Sequence, residues 1–396
     1  MRRDWRSAAT GAMDSIRFSG INHEVSKVMK IDRISAWQLD LPLHKPYWLS
    51  GGRLKFETLD STILRIDTDE GISGWGEGCP WGVTYLPAFG KGIRAGIEEL
   101  APLLIGQDPR QLDAINRIMD LALPGHPYVK SAIDIACWDI AGKSAGLPLC
   151  ELLGAREPDP VPIASSVSTG SPQLMLDEVQ RFRDMGYRVH SCKVGANVAM
   201  DIERISLLAA NERDGEIMFY DVNRAWLPRE AITVMNSVSG LTSWFEQPCE
   251  TLDEIAQVRR QTSYPIGIDE ALHTIDDLIR IQRDGIAEVV NIKINRVGGL
   301  TRARRLRDFC LATGITMLIM DTGGTVISDT GVAHFAQTIP APSCLGVWSC
   351  QEMISVDPAP GQGARNLDGC FSAPAFPGLG VEPELALLGK PIASYS

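Results

Sequence analysis

Five ionisable residues recur along the middle of the chain with a spacing that indicates one functional site. Asp221, Glu246 and Asp269 each end a short apolar run, and Lys193 and Lys293 stand on either side of them in the sequence. Three carboxylates brought together can bind a hard divalent cation through oxygen ligands, and Mg²⁺ keeps coordination positions open for water or substrate. The pattern therefore predicts a Mg²⁺ site between two lysines.

The chemistry that suits this set is removal of a proton next to a carboxylate. Mg²⁺ would bind the substrate carboxylate and stabilise the enediolate as negative charge builds on its oxygens. A lysine would take the α-proton, which requires that its pKa be lowered so that the amine is neutral part of the time. Return of a proton from the opposite lysine would give epimerisation, and loss of a β-hydroxyl group would give dehydration.

Repeated strand–helix units are needed to bring residues with this spacing to one place. Short apolar strand candidates alternate with helical segments after Pro162, which predicts an α/β parallel sheet, and eight candidates predict a closed TIM-like barrel. Catalytic residues of such barrels lie at the carboxyl ends of the strands, where these five residues and Asp321 all fall. The candidates are Val161–Ser166, Val189–Val194, Glu216–Asp221, Ser243–Glu246, Ile266–Asp269, Glu288–Lys293, Ile315–Asp321 and Leu345–Cys350.

The segments outside the barrel predict a second domain. Residues 29–155 contain three strand candidates joined as an antiparallel meander, followed by helical periodicity, which together indicate an α+β unit. Residues 156–356 are the predicted barrel domain, and residues 357–396, which are rich in Pro and Gly, are expected to return and complete the α+β unit. Residues 1–28 do not share these patterns, and we expect a loosely ordered extension there, with a weak targeting role as the alternative.

Composition narrows the class of partner. The net charge of −11 and the pI near 5.1 argue against nucleic acid as a partner. No apolar run is long enough for a membrane span. The nine cysteines form no CxxC motif and lie in apolar segments, so we expect reduced thiols and a cytoplasmic protein.

Five motifs in this order resemble the enolase superfamily, in its muconate-lactonising-enzyme subgroup. They are CKVG (Cys192 to Gly195), DVNRAW (Asp221 to Trp226), FEQPC (Phe245 to Cys249), GIDEA (Gly267 to Ala271) and NIKINRVGGL (Asn291 to Leu300). The resemblance covers the chain from about residue 29 to its end. It implies a modified (β/α)₇β barrel with an α+β capping domain, and barrels of this kind usually form homo-oligomers.

Carried over to these positions, the resemblance implies roles for six residues. Asp221, Glu246 and Asp269 would be the Mg²⁺ ligands, Lys193 and Lys293 the acid/base pair, and Asn223 a partner that supports the ligands. One position departs from the subgroup, whose second barrel strand commonly ends in Lys-x-Lys. Here that strand reads Ser191-Cys192-Lys193, so the base is retained and the lysine expected to tune its pKa is absent.

The substrate in this superfamily is selected by loops of the capping domain and by the last barrel strands. Here the loops supply Tyr47, Trp48, Trp81 and Tyr85, whose rings could hold an ammonium group by cation–π contact or pack in the core. These loops resemble the branch that acts on proline derivatives. Epimerases of that branch carry a DDAWGG-like segment after the seventh strand, whereas this chain has MDTGGT (Met320 to Thr325), with Thr322 and Gly323 in place of the bulky group.

The resemblance therefore implies a proline-derived amino acid as substrate. The reaction favoured is Mg²⁺-dependent dehydration of cis-3-hydroxy-L-proline to Δ¹-pyrroline-2-carboxylate, with 2-epimerisation as a competing outcome. Thr322 would contact the substrate. Asp321 would either contact the substrate or orient Lys293. The alternative is a racemase or epimerase of proline betaine or another N-substituted amino acid. A pyridoxal-phosphate barrel and a non-catalytic binding protein are the other classes, and neither requires the three carboxylates with both lysines.

Overall fold

A computed structural model describes residues 28–396, so the predicted extension of residues 1–28 lies outside the described residues except for Val28. The first domain is built on an antiparallel sheet of two long strands and one short strand, covered by helices. The strands are β1 (Ile31–Leu49), β2 (Leu54–Thr68) and β3 (Ser73–Gly78), and the helices are α1 (Gly90–Leu104), α2 (Leu112–Ala122), α3 (Pro127–Ala145) and α4 (Leu149–Leu153).

The hairpin between β1 and β2 is longer than the sequence pattern predicts. The turn-rich segment after Leu41 continues as strand to Leu49, with a register shift between Pro42 and Tyr47. Gly51 in the turn has φ 62°, and a Cβ atom there would lie 2.4 Å from the carbonyl oxygen of Gly195. The hairpin tip therefore rests against the loop that follows Lys193, which brings Tyr47 to the mouth of the barrel.

Helix α3 joins the two domains. Helical periodicity places an apolar stripe on one face of this segment, but nearly the whole helix is buried, including Asp134. It packs so closely on β3 that a Cβ atom at Gly76 would lie 1.9 Å from the carbonyl oxygen of Ala132. On its other side, Asp134 accepts hydrogen bonds from the backbone N–H and hydroxyl of Thr301. Buried polar groups satisfied in this way fix the orientation of the first domain over the second.

The second domain is a closed barrel of eight parallel strands, which confirms the predicted fold class. Consecutive strands are neighbours throughout, and the last pairs with the first. Each predicted strand is present, with ends shifted by two residues or fewer. The strands are β4 (Val161–Val167), β5 (Val189–Lys193), β6 (Ile217–Asp221), β7 (Phe245–Glu246), β8 (Ile266–Ile268), β9 (Val289–Lys293), β10 (Thr316–Met320) and β11 (Cys344–Trp348).

Helices follow the first seven strands and cover the outside of the barrel, so the order is (β/α)₇β. The barrel interior is filled by a small apolar cluster that includes Phe219 and Trp244, whose rings stack at 4.5 Å. The helices are α5 (Pro172–Asp184), α6 (Val198–Ala209), α7 (Pro228–Ser237), α8 (Leu252–Arg259), α9 (Ile275–Arg283), α10 (Ile294–Val297), α11 (Leu300–Thr313) and α12 (Val326–Ala336).

The C-terminal segment contacts both domains. Strand β12 (Cys370–Phe371) pairs with β4 of the barrel, helix α13 (Leu385–Leu388) follows, and β13 (Ala393–Tyr395) adds a fourth strand to the sheet beside β1. The nine cysteines, all within residues 28–396, are free, as expected from their spacing. In the same range, no helix combines the length and the apolar character that crossing a membrane would require.

Candidate active site

The carboxyl ends of five consecutive strands, β5 to β9, bring the five predicted residues to one buried cavity. Cross-strand pairing sets Lys193 beside Asp221 and Asp221 beside Glu246, and the cavity is also lined by Asp269 and Lys293. The space enclosed in the cavity is about 50 Å³. The three carboxylates thus lie between the two lysines around the barrel mouth.

Lys193 forms an ion pair with Asp221. Its amine donates a hydrogen bond to Asp221 Oδ2, while Asp221 Oδ1 accepts the backbone N–H of Asn223 at 2.9 Å. Burial on its own would lower the pKa of Lys193, but the charges of Asp221 and Tyr47 outweigh it and raise the pKa above its usual value. A lysine that acts as a base needs a lowered pKa, and the pKa of Lys193 is raised instead because the group nearest its amine is a carboxylate.

Lys293 is held by two oxygen atoms from different domains. Its amine donates to Asp269 Oδ2 at 2.8 Å and to the hydroxyl of Tyr85 at 3.3 Å. Asp269 also accepts a hydrogen bond from Arg296 at 2.6 Å. Burial would raise the pKa of Asp269, but the positive charges of Lys293 and Arg296 reverse that effect and hold it well below its usual range. Asp269 is therefore a carboxylate held in its ionised form.

Glu246 has no such partner. It is 2% exposed, and its Oε2 accepts no hydrogen bond. Burial raises the pKa of Glu246 well above its usual value, and the charges of Asp221 and Asp269 add to the shift. A buried carboxylate without a cation is costly, so its position between two further carboxylates fits a divalent ion. Within residues 28–396, no three Asp, Glu, His or Cys side chains are grouped closely enough to bind a metal ion as they stand. Asp221 and Asp269 instead bond to Lys193 and Lys293.

Asn223 lines the cavity with the carboxylates and bonds to Asp221 through its backbone. Its backbone has φ 45°, a left-handed conformation that Asn tolerates better than most residues. Besides its backbone bond to Asp221, its side chain donates to Glu270 Oε1 at 3.1 Å, and Tyr85 donates to the same oxygen at 3.0 Å. Burial and the nearby charges of Asp269 and Asp221 raise the pKa of Glu270 to about 7.

Aromatic rings cover the side of the cavity that faces the capping domain. Tyr47 and Trp81 line the cavity with ring centroids 5.5 Å apart, and Trp81 lies 5.8 Å from Trp348. Trp48 does not take part, since its side chain lies on the opposite face of the strand from Tyr47, is 43% exposed and lies against Lys55. Of the four predicted aromatic residues, the structure therefore places Tyr47, Trp81 and Tyr85 at the cavity and Trp48 outside it.

Asp321 and Thr322 line the cavity beside Lys293, but their partners differ from those expected. Asp321 accepts hydrogen bonds from the side chain and backbone of Asn295 and from the backbone N–H of Thr322, and none from Lys293. Burial raises the pKa of Asp321 to about 7. The hydroxyl of Thr322 pairs with the hydroxyl of Tyr128 at 2.6 Å. These bonds occupy both side chains with protein partners.

Several residues that shape the site are not among those predicted from the sequence. Glu270 lies in the GIDEA motif and Arg296 in the NIKINRVGGL motif, each within three residues of a predicted site residue. That closeness in sequence is the signal that could have identified them. Gln247, in the FEQPC motif, accepts the backbone N–H groups of Asp269 and Ala271 and so holds the loop after β8. Trp348 and Ser166 have no local signal, because their roles depend on contact between the first and last barrel strands.

Comparison with known proteins agrees with this geometry. Residues 174–387 match the family described as enolase C-terminal domain-like, which is more than half of the chain. Residues 38–154 match the N-terminal domain of mandelate racemase and muconate lactonizing enzyme. The chain belongs to the enolase superfamily. The resemblance stated from the sequence motifs is thereby confirmed, and the shared chemistry of this superfamily member is abstraction of a proton α to a carboxylate.

Relatives within the superfamily include both dehydratases and racemases. The chain is 40% identical to cis-3-hydroxy-L-proline dehydratase of Roseibium aggregatum over 93% of this chain and 100% of that protein. It is 34% identical to N-succinyl-L-Arg/Lys racemase of Bacillus cereus over 78% and 84% of the two chains. A crystal structure of an enolase superfamily member from Roseovarius nubinhibens, in complex with magnesium, superposes on this chain with a TM-score of 0.89 and 54% sequence identity. The match covers 93% of this chain and 99% of that one.

The Tyr85 hydroxyl provides a specific test of how this superfamily site holds Lys293. Replacement of Tyr85 with Phe removes one of the two oxygens that hold the Lys293 amine and keeps the ring. We expect kcat to fall by about tenfold, the equivalent of one ordinary hydrogen bond, with little change in KM. Steady-state kinetics with Mg²⁺ checks this, and Tyr264→Phe is the matched control because the Tyr264 hydroxyl bonds to the backbone carbonyl of Val238 and does not line the cavity. An unchanged kcat for Tyr85→Phe would exclude the positioning role.

Proposed function

We propose that this protein is a Mg²⁺-dependent dehydratase that converts cis-3-hydroxy-L-proline to Δ¹-pyrroline-2-carboxylate. The observation that carries the proposal is that Lys193 and Lys293 open onto one buried cavity with the unpaired carboxylate of Glu246 between them. A substrate whose carboxylate lies near Glu246 would have its α-carbon within reach of both amines. The identity to the Roseibium aggregatum dehydratase supports the choice of substrate.

The residues that would hold Mg²⁺ are Asp221, Glu246 and Asp269. When bound, the ion would offset the negative charge that builds on the substrate carboxylate as the α-proton leaves. The magnesium in the Roseovarius nubinhibens relative supports this choice of ion. Glu246 is the residue whose environment most needs a positive charge, since its two neighbouring carboxylates already have lysine or arginine partners.

The lysines would carry the proton transfers. One lysine accepts the α-proton, and the electron pair freed at Cα forms a double bond to Cβ as the C3–O bond breaks. The leaving hydroxyl takes a proton from a lysine and departs as water, and the resulting enamine tautomerises to the cyclic imine. Lys193 can act as a base only when its amine is neutral. The charge of Asp221 raises the pKa of Lys193, and a cation held by Asp221 would offset that charge and favour the neutral amine.

The shape of the site supports a small, cyclic amino acid. Tyr47, Trp81 and Trp348 close the side of the cavity opposite the carboxylates, which leaves limited room beyond the α-carbon. Their ring faces are suited to a ring that carries a cationic nitrogen. The small side chain of Thr322 at the cavity adds a polar group on the side of Lys293.

The second candidate is racemisation or epimerisation of proline betaine or another N-substituted amino acid. The observation that favours it is the pair of lysines itself, since bases on two sides of the α-carbon allow a proton to leave one face and return to the other. The identity to the Bacillus cereus racemase supports this alternative. The two reactions share the first proton abstraction and differ in whether a β-hydroxyl group leaves.

Product analysis separates the two candidates. The protein is incubated in D₂O with Mg²⁺ and, in separate samples, cis-3-hydroxy-L-proline, L-proline and L-proline betaine, and each sample is followed by ¹H NMR. The proposal predicts loss of the C3 hydroxyl and formation of the cyclic imine from cis-3-hydroxy-L-proline. Deuteration at C2 of the betaine with no water loss from the hydroxyproline would establish the epimerase instead.

A further inference from the structure

The catalytic cavity is separated from a second, larger cavity by a thin wall of side chains. The second cavity has a volume of about 630 Å³ and lies between β4, α5, the β1 hairpin and the segment after β11. Tyr47, Ala164 and Trp348 line both cavities. The two spaces are therefore neighbours that share these three side chains.

One hydroxyl group holds the wall together. Ser166 Oγ accepts a hydrogen bond from the hydroxyl of Tyr47 at 3.0 Å and another from Trp348 Nε1 at 2.9 Å. A serine hydroxyl has two acceptor lone pairs, so a single side chain satisfies both donors. Trp81 packs edge-on against both rings from the capping-domain side. The wall thus joins residues from both domains, at the seam between the first and last barrel strands.

The wall lies across the barrel from the carboxylates. In the closed strand order, β7, which carries Glu246, is four strands away from β11, which carries Trp348. A substrate whose carboxylate is held near Glu246 therefore directs its far end toward Tyr47, Ser166 and Trp348. Any substituent that extends the substrate on that side would have to cross the wall.

We propose that the Tyr47–Ser166–Trp348 wall sets the upper size limit of the substrate and excludes amino acids with an acyl group on nitrogen. This inference rests on the proposed function, because it takes the orientation of the substrate from the carboxylate site. The space that such a group would need already exists behind the wall. The second cavity is lined by Lys45 and Arg181, which both pair with Glu178, and also by Glu352, so it offers polar groups of both signs to an acyl chain.

The variants that test the wall differ in how much of it they remove. Trp348→Ala removes the shared ring and should join the two cavities. Ser166→Ala keeps both rings but leaves the Tyr47 hydroxyl and Trp348 Nε1 without their common acceptor. Trp48→Ala is the control, because Trp48 lies on the same hairpin as Tyr47 and lines neither cavity. Trp348→Phe keeps an apolar ring and serves if the alanine variant does not fold.

Binding of N-succinyl-L-proline, measured by calorimetry with Mg²⁺ present, is the primary readout. We expect Trp348→Ala to bind this probe at least tenfold more tightly than the wild-type protein does. We expect Ser166→Ala and Trp348→Phe to show a smaller gain, and Trp48→Ala to show no gain. Equal or weaker binding of the probe by both Trp348 variants would overturn the inference.

Exchange of the C2 proton of cis-3-hydroxy-L-proline in D₂O, measured on the same samples, separates this result from the proposed function. Wild-type protein that neither exchanges nor removes the C2 proton would refute the proposed function, and the binding comparison would still decide whether the wall limits ligand size. Wild-type exchange with no binding gain in the Trp348 variants would refute the wall alone.

Discussion

Replacement of either Lys193 or Lys293 with alanine is expected to reduce dehydration by about 10²- to 10⁴-fold, the usual contribution of a positioned acid or base. Each amine opens onto the same cavity, and no other lysine of residues 28–396 is among the side chains that line it. The two variants should differ in a further way. Because the lysines lie on different sides of the cavity, each variant should lose C2 proton exchange for one epimer of the substrate and retain some for the other.

The measurement is the exchange rate of both C2 epimers in D₂O, together with the rate of imine formation. Lys91→Ala provides the control, since Lys91 is exposed on α1 and distant in sequence from the barrel. Full activity of both lysine variants would show that the proton is moved by other groups. Equal loss of exchange for both epimers in one variant only would show a single base.

Replacement of Glu246 with glutamine is expected to weaken Mg²⁺ binding while stabilising the metal-free protein. Loss of one carboxylate ligand should lower Mg²⁺ affinity by at least about 10- to 100-fold, the range seen even for residues that only support a ligand. The pKa of Glu246 is raised by burial and by neighbouring carboxylates, so its contribution to stability is present at low pH and is lost as the pH rises through the folded-state value.

The stability gain of Glu246→Gln should therefore grow with pH. In the presence of a chelator we expect Tm to rise above that of the wild-type protein by a few degrees, since about 1 kcal/mol shifts Tm by ~2 °C in a large domain. Thermal unfolding from pH 5 to pH 8 and Mg²⁺ titration by calorimetry test the two effects. Glu57→Gln is the control, because the Glu57 side chain is 64% exposed. Unchanged Mg²⁺ affinity would remove Glu246 from the ligand set.

The barrel and the positions of its functional residues could be predicted because they depend on local sequence. Short apolar runs that end in Asp221, Glu246 or Lys293 identify strands, and the parallel order places all their carboxyl ends at one mouth. The observed ends of β6 and β9 coincide with Asp221 and Lys293. The strand–helix alternation was strong enough to give all eight strands.

The contacts that tune the site could not be predicted, because they depend on side chains from distant segments. The bond from Lys293 to Tyr85 joins residues 208 positions apart, and Trp348 meets Ser166 across 182 positions. The β1 hairpin is longer than expected because strand pairing outweighs the turn-forming residues in HKPYWLSGG, and this extra length turns Trp48 away from the cavity. The raised pKa of Lys193 likewise follows from its cross-strand contact with Asp221.

The most direct test of the central claim is C2 proton exchange of cis-3-hydroxy-L-proline in D₂O, followed by ¹H NMR with Mg²⁺ and again with excess chelator. The account predicts that the wild-type protein replaces or removes the C2 proton with Mg²⁺, that chelation stops this, and that Lys193→Ala and Lys293→Ala each impair it. Retention of the C2 proton by the wild-type protein with Mg²⁺, for this substrate and for proline and its betaine, would contradict the account.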